Sequence, residues 1–370
     1  MRVGIVGQFG RKAGTLSLNG SSGSCTVAVD AMGGDHAPDE VLRGAAEAAS
    51  SGVKVVLVGP RAMLLTRLAE LGLPALDVQD ASETIGMDEQ IRQVRRKDDS
   101  SIHVATRLLQ SGEAHAMVSA GNSAAIMAVA LLECGRQAGI DRPAFGSMLP
   151  TKASDCFILD IGANPEVKPS NLVQFAVMGE VYVRVARGVE APRVALLSNG
   201  TEQSKGTEEV KEAHEQLAKL DLDFVGNLEG NHVFDGIVDV VVCDGFAGNV
   251  LLKGIEGAGT FLFDMVRQEI TRDFWGRFAA AALIPAFNRV RRRVDYQEYG
   301  GAPVLGVNGI VINCHGRSKA KAIARAILQA DKMARERLVE RIGEALQRDD
   351  VELGRRRLLA RALHLRGEKA

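Results

Sequence analysis

Short apolar runs that end in glycine-bearing turns and lead into helical patterns recur along this chain, and they leave few folds open. Val53–Val58 (VKVVLV) stops at Gly59-Pro60 before a predicted helix over Arg61–Leu71. Ala116–Ser119 (AMVS) stops at Ala120-Gly121-Asn122 before an apolar helix over Ser123–Cys134. Cys156–Ile161 (CFILDI) gives way to Gly162-Ala163-Asn164, and Val194–Leu197 to Ser198-Asn199-Gly200 and a helix over Thr207–Leu220. Val238–Cys243 (VDVVVC) runs into Asp244-Gly245, with a helix predicted over Gly248–Asp264. Runs this short, apolar on both faces, are strands covered by helices from both sides. Their alternation with helices predicts an α/β protein with a doubly wound, mostly parallel sheet. Ligands in such sheets sit beyond the carboxyl ends of the strands, where these turns fall. The pattern therefore predicts five or six turns along one edge, converging on one cleft.

The richest turn lies in Val27–Pro38, VAVDAMGGDHAP. Val27, Ala28 and Val29 read as a buried strand, and Gly33 and Gly34 let the backbone take positive φ and approach a ligand. Pro38 opens a helix predicted over Asp39–Ser50. Strand, glycine turn and helix N-terminus together form an anion site, because free N–H groups and the helix dipole both favour negative charge. An ordinary tight turn has the same pattern. Gly4, Gly7 and Gly10 imitate a dinucleotide fingerprint, but their spacing is wrong and no helical pattern follows. Residues 1–24 read instead as a flexible N-terminal extension rich in Gly, Ser and Thr.

A net charge of −1 over 370 residues supplies no field for nucleic acid, and one Trp and three Tyr offer few stacking platforms. Five scattered cysteines, none in a CxxC pair, exclude a zinc ribbon or dithiol motif. No signal peptide or membrane-spanning run is evident, so a cytoplasmic protein with reduced thiols is expected. Two regions break the rhythm. Phe261–Val294 is apolar and basic, interrupted by Pro285, and reads as a protruding helical segment; residues 348–370 form a basic tail. Residues 25–347 between the extension and the tail read as one α/β domain.

Taken in order, VAVDAMGGDHAP, VSAGNSAA, LDIGANPEVKPSNLVQFAVMG, VVVCDGFAGNVLLK and YGGAPVLGVNGIVINCHG resemble the phosphate acyltransferase family of bacterial phospholipid synthesis, the PlsX type. The resemblance spans roughly Val27 to Gln347. It implies a Rossmann-like fold related to phosphate acetyltransferases and a homodimer that uses no metal or nucleotide cofactor. It also implies a reaction in which inorganic phosphate attacks the thioester of fatty acyl-acyl-carrier-protein. The acyl phosphate formed would pass to a membrane glycerol-3-phosphate acyltransferase. This chain departs from the family at Ser123-Ala124, where Thr-Gly is usual, at Asn231, where arginine is common, and in Met87–Ser101, which lacks a typical proline.

That chemistry needs an anion held near a carbonyl, donors for an oxyanion, and help for a leaving thiolate. Gly33, Gly34, Gly121, Asn122, Ser123, Gly245 and Gly248 are candidate phosphate or acyl contacts at turns. Asp35, Asn164, Asn199 and Asp244 accompany them, and each of the asparagines can equally lock its own turn. Lys168 and Lys205 are candidate cations, against the plain reading of solvated surface charge. Lys205, His36, Asp30, Asn249 and His315 form the candidate catalytic set; Asp30 and Asp35 orient a partner or cap a loop. Arg95, Arg96 and Lys97 are a second basic cluster. Cys243 reads as a buried inert thiol. Arg289, Arg291, Arg292 and Arg293 are the expected docking site for acidic carrier protein. Seven arginines against Glu269 and Asp273 leave Arg267–Arg293 at +5. With Phe274, Trp275, Phe278, Leu283, Ile284 and Phe287, this composition suits peripheral membrane contact or, equally, a dimer interface. Alternatives are a small-acyl phosphotransferase using coenzyme A and a non-catalytic carrier-protein-binding scaffold.

Overall fold

The computed structural model describes residues 25–272, 285 and 300–348. The predicted extension 1–24, the tail beyond Arg348, the arginines at 289, 291, 292 and 293, and the apolar residues of 274–287 named above lie outside the described residues.

Each run in the first part of the chain becomes a strand that one face cannot satisfy. In β1 (Thr26–Asp30), Val27 and Val29 enter one apolar cluster while Ala28 enters another on the opposite face. Helix α1 (Asp39–Ser50) follows, then β2 (Lys54–Gly59), α2 (Arg61–Glu70), β3 (Asp77–Asp80), the short α3 (Ile91–Val94) and α4 (Ser101–Ser111). Next come β4 (Ala116–Ser119), α5 (Ser123–Glu133), β5 (Ala144–Leu149) and β6 (Cys156–Leu159). The chain continues through α6 (Pro169–Arg187), β7 (Val194–Ser198), α7 (Glu208–Leu217), β8 (Phe224–Glu229), a 3-10 turn over Gly230–Asp235 and β9 (Val240–Val242). Helix α8 (Gly245–Ile270), β10 (Ala302–Leu305), β11 (Ile310–Asn313), α9 (Ala320–Arg335) and a last helical run over 338–348 follow.

The strands form one 11-stranded sheet in the order β3-β2-β1-β4-β11-β10-β5-β6-β9-β7-β8. Helices cover both faces: Phe175 and Tyr182 of α6 share one cluster with α1 and α9, while α4 and α5 close the other side of the first strands. The doubly wound α/β reading holds.

One expectation does not. Strands β3, β2, β1, β4 and β11 are mutually parallel, as are β6, β9, β7 and β8. Between these blocks β10 pairs antiparallel with both β11 and β5, and β5 pairs antiparallel with β6. The second block therefore runs opposite to the first, and the turns form two groups instead of one row. Asn313 ends β11 opposite Ala302, two residues along β10 from the Val304–Phe145 pair. Leu159 ends β6 opposite Gly146, one residue along β5 from that same pair. At ~3.3 Å per residue, the two blocks end at nearly one level while pointing in opposite directions.

Helix α8 also differs from expectation. It starts three residues early because the Asp244 side chain accepts the Ala247 N–H at 2.8 Å and caps it. Only Gly245 and Gly248 of the helix are buried, and Phe261, Leu262, Met265 and Val266 are exposed. No helix among the described residues is long and apolar enough to cross a membrane.

Candidate functional site

The first group of turns stands on β1, β4 and β11, which are neighbours in the sheet. Asp30 ends β1 and is 3% exposed. Its Oδ1 accepts the Met32 N–H at 3.1 Å and its Oδ2 accepts the Ser119 hydroxyl at 2.6 Å. Ser101 and the Gly33 N–H also bond this carboxyl. Burial nevertheless dominates and raises its pKa above the usual carboxylate value. Ser119 Oγ in turn accepts the Gly121 N–H at 3.0 Å, so one buried carboxyl organises two glycine turns. A Cβ on Gly33 would stand 2.7 Å from both Asp30 Oδ2 and the Gly121 nitrogen, which is why glycine is required there. Gly34 takes φ +102°, and the next amide, Asp35 N–H, donates to the Gly316 carbonyl at 2.8 Å. That bond joins the β1 turn to the β11 turn.

Asn122 caps α5: its Oδ1 accepts the Ala124 and Ala125 N–H groups at 2.9 and 3.1 Å. Its Nδ2 donates to the Met87 carbonyl at 2.6 Å, tying the 86–97 segment beside the turn. The amides of Asn122 and Ser123 have no partner among the described residues, and Ser123 is exposed. These are free donors at the positive end of an 11-residue helix. Asp35, His36 and His315 are exposed on the same group of turns, and His315 Nδ1 accepts the Arg317 N–H at 3.2 Å. Of the second basic cluster, Lys97 is engaged by Glu89, while Arg95 and Arg96 are exposed.

The second group stands on β6, β9 and β7. Asp160, fully buried beyond β6, accepts N–H groups from Phe145, Gly162 and Ala163 on Oδ1, each at 3.1 Å. Its Oδ2 accepts the Asn164 N–H at 2.7 Å and the Asn164 amide at 2.9 Å. Burial again raises this carboxyl's pKa despite the five bonds. Asn164 also donates to the Pro143 carbonyl and accepts the Gly245 N–H, so it locks its turn. A Cβ on Gly245 would meet Asn164 and Asp160 at 2.8 Å, and one on Gly248 would lie 1.9 Å from the Asp160 carbonyl. Asn199 accepts the Gly206 N–H at 2.9 Å and closes the turn that displays Lys205. Lys168 and Lys205 are exposed and form no ion pair among the described residues. Asn249 lies beside Gly162, and its side-chain amide has no partner among the described residues. Cys243 beneath this group is held far above the usual thiol pKa by burial.

A family model described as "Fatty acid synthesis protein" matches residues 25–341. Two relatives named phosphate acyltransferase are similar over nearly their whole length. That of Syntrophotalea carbinolica is 48% identical over 324 residues, covering 86% of this chain and 92% of the relative. That of Heliobacterium modesticaldum is 47% identical over 323 residues, covering 86% and 96%. The chain belongs to the phosphate acyltransferase family. Among solved structures, the fold is similar to a phosphotransacetylase from Streptococcus pyogenes, with TM-score 0.59 and 18% identity over 85% of this chain and 94% of that one. It is also similar to 4-hydroxythreonine-4-phosphate dehydrogenase from Klebsiella pneumoniae, with TM-score 0.52 and 16% identity over 84% and 100%. These two likenesses concern the fold.

In this acyltransferase the candidate residues divide cleanly. Gly33, Gly34, Asp35, His36, Gly121, Asn122, Ser123 and His315 gather in the first group; Asn164, Asn199, Asp244, Gly245, Gly248, Asn249, Lys168 and Lys205 belong to the second. Asp30, Asn122, Asn199 and Asp244 accept turn or cap N–H groups on their side-chain oxygens, and Asn164 donates its side-chain amide to Asp160 and Pro143. Sequence reasoning passed over Asp160, Ser119 and Asn313. The first had a visible signal, an acid closing an apolar strand before Gly and Asn, as Asp30 closes β1 before two glycines.

Proposed function

We propose that this acyltransferase moves a fatty acyl group from acyl carrier protein to inorganic phosphate, giving acyl phosphate for phospholipid synthesis. The observation that carries the reading is the set of unspent donors at the turns: the Asn122 and Ser123 amides, the Asn249 side chain, and the unpaired Lys168 and Lys205. A dianion and a developing oxyanion are what such donors stabilise.

Phosphate already carries its negative charge, so placement matters more than deprotonation. A phosphate oxygen attacks the thioester carbon, and the carbonyl electrons move to oxygen. When the carbonyl re-forms, the C–S bond breaks and its electron pair leaves with the pantetheine sulfur. The α5 amides hold the nucleophile, the lysines offset its charge, and Asn249 donates to the oxyanion. His315 accepts at Nδ1, so its neutral form carries the hydrogen at Nε2 and meets the departing thiolate as a hydrogen-bond donor, the sulfur leaving as the anion. His36 is exposed on the same group of turns. Asp30 acts through the turns it holds.

In this reading Arg289, Arg291, Arg292 and Arg293 meet the acidic carrier protein. The exposed apolar residues of α8 support pairing with a second copy and contact with a membrane surface where acyl phosphate is handed on.

The test is release of free carrier-protein thiol from acyl-acyl-carrier-protein, with and without inorganic phosphate. Release that depends on phosphate and yields acyl phosphate is expected. Turnover confined to short acyl-coenzyme A substrates, or release indifferent to phosphate, overturns the proposal.

A further inference from the structure

Strand β11 reads IVIN, and its first three residues are buried apolar side chains. Asn313 ends it at only 9% exposure. Its Nδ2 donates to Ser123 Oγ at 2.7 Å, and its Oδ1 is buried with no hydrogen-bond partner. An unmet buried acceptor destabilises a fold, and a residue like its apolar neighbours would avoid that cost. The bond to Ser123 is what the amide gains.

That bond sets the direction of a proton. Ser123 is the first residue of α5 and is exposed. With one lone pair of its oxygen taken by Asn313, the hydroxyl hydrogen is turned away from the strand and toward solvent. There it joins the unpartnered amides of Asn122 and Ser123 at the helix N-terminus. The neighbouring serine does the reverse. Ser119 donates its hydroxyl inward to Asp30 and accepts Gly121, so neither it nor that amide is available to a ligand. A carboxyl turns one serine in and an amide turns the other out.

We propose that Asn313 is a positioning residue that holds the Ser123 hydroxyl as a donor to a phosphate oxygen bound at the start of α5. This rests on inorganic phosphate being the acyl acceptor. The amide cannot be replaced by a carboxylate of the same shape, because the carboxylate introduced by Asn313→Asp would accept from Ser123 and draw its proton inward.

The experiment measures inorganic phosphate binding to the full chain by calorimetry without an acyl donor, and in parallel the phosphate KM and kcat for thiol release. Asn313→Val and Ser123→Ala are each expected to weaken phosphate binding and raise its KM by about tenfold or more, the worth of one hydrogen bond to a charged group. The fall in kcat should be smaller. The double variant should be at most about twofold worse than either single, since both remove one donor. Asn313→Asp should weaken phosphate further than Asn313→Val, while Ser123→Thr, which keeps the hydroxyl, restores affinity lost in Ser123→Ala. Losses that multiply in the double variant, or wild-type phosphate affinity in Asn313→Asp, overturn the proposal, and the latter decides it should Asn313→Val fail to fold. A wild-type protein that binds phosphate yet releases no thiol overturns the acyl-transfer reading alone. The calorimetry then still decides the role of Asn313.

Discussion

After β1, the buried carboxyl of Asp30 collects N–H groups of its own turn and two hydroxyls from elsewhere, Ser119 on β4 and Ser101 on α4. After β6, the buried carboxyl of Asp160 collects N–H groups only, four from the backbone and one from Asn164. In both places an acid closes an apolar strand and burial raises its pKa. The partners differ, and so does what is left over. Asp30 joins two strands' turns while leaving α5 with free amides for an anion. Asp160 pins its turn to β5 and, through Asn164, consumes the first amide of α8; what remains there is the Asn249 amide and two lysines. The first turn offers donors fixed in the backbone, and the second offers side chains.

The largest effect should come from the glycines that these carboxyl turns enclose. Gly248→Ala places a methyl 1.9 Å from the Asp160 carbonyl oxygen, which cannot yield without moving the end of β6. We expect a loss of about 3 kcal/mol or failure to fold, read by denaturant unfolding. Gly33→Ala meets Asp30, Gly121 and Ser119 at 2.7–2.9 Å. It should cost about 2 kcal/mol and impair phosphate use as well. A Gly33→Ala protein with normal phosphate KM would break the assignment of donors to the first turn.

Replacing the acids separates scaffold from site more sharply. Asp160→Ala strands four backbone amides and should cost about 3 kcal/mol, with phosphate KM unchanged in the folded protein. Asp30→Ala should cost about 2 kcal/mol and raise the phosphate KM too, because Gly33 and Ser119 lose their anchor. Equal kinetic damage from both would show that the two turns do the same work.

Lys205→Ala should leave thermal unfolding unchanged, since the side chain is exposed and forms no ion pair among the described residues. Its expected mark is an increase of about tenfold in phosphate KM or a comparable fall in kcat. Wild-type kinetics would remove the cation from the second turn.

The smallest effect is electrostatic. Burial raises the Asp160 pKa above 3.8, so the native state holds this proton more tightly than the unfolded chain does. Stability from this group is present at low pH and is lost as pH rises through its native pKa. The stability of wild type relative to Asp160→Asn should therefore decline as pH rises above about 4. A rising difference would mean the five hydrogen bonds outweigh burial.

Much of the frame was legible because it is local. The runs at 27–29, 116–119 and 156–161 announced strands through apolar residues on both faces, and the glycines after them announced turns. Strand β3, DVQD, gave no such signal: it is an edge strand with only Val78 buried, and one covered residue writes no pattern. The cap that starts α8 at Asp244 was readable as an acid before an apolar helix, yet the periodicity drew attention to Gly248 instead. In the candidate site, residue types were legible and hydrogen-bond assignments were not. Asn122, Asn164 and Asn199 look like ligand contacts in sequence, and each uses its side-chain oxygen or amide on a helix cap or turn.

By itself the sequence determined the α/β class, the helices on both faces of the sheet and the placing of glycine turns at strand ends, because these follow from periodicity and backbone conformation within a few residues. Only the tertiary structure decided that the second block of strands runs against the first, since that depends on β5 and β10 pairing across about 160 residues of chain. It also decided which polar groups are spent and which remain free. That choice is made by partners such as Ser119 for Asp30, or Asn313 for Ser123, that sequence spacing does not bring together.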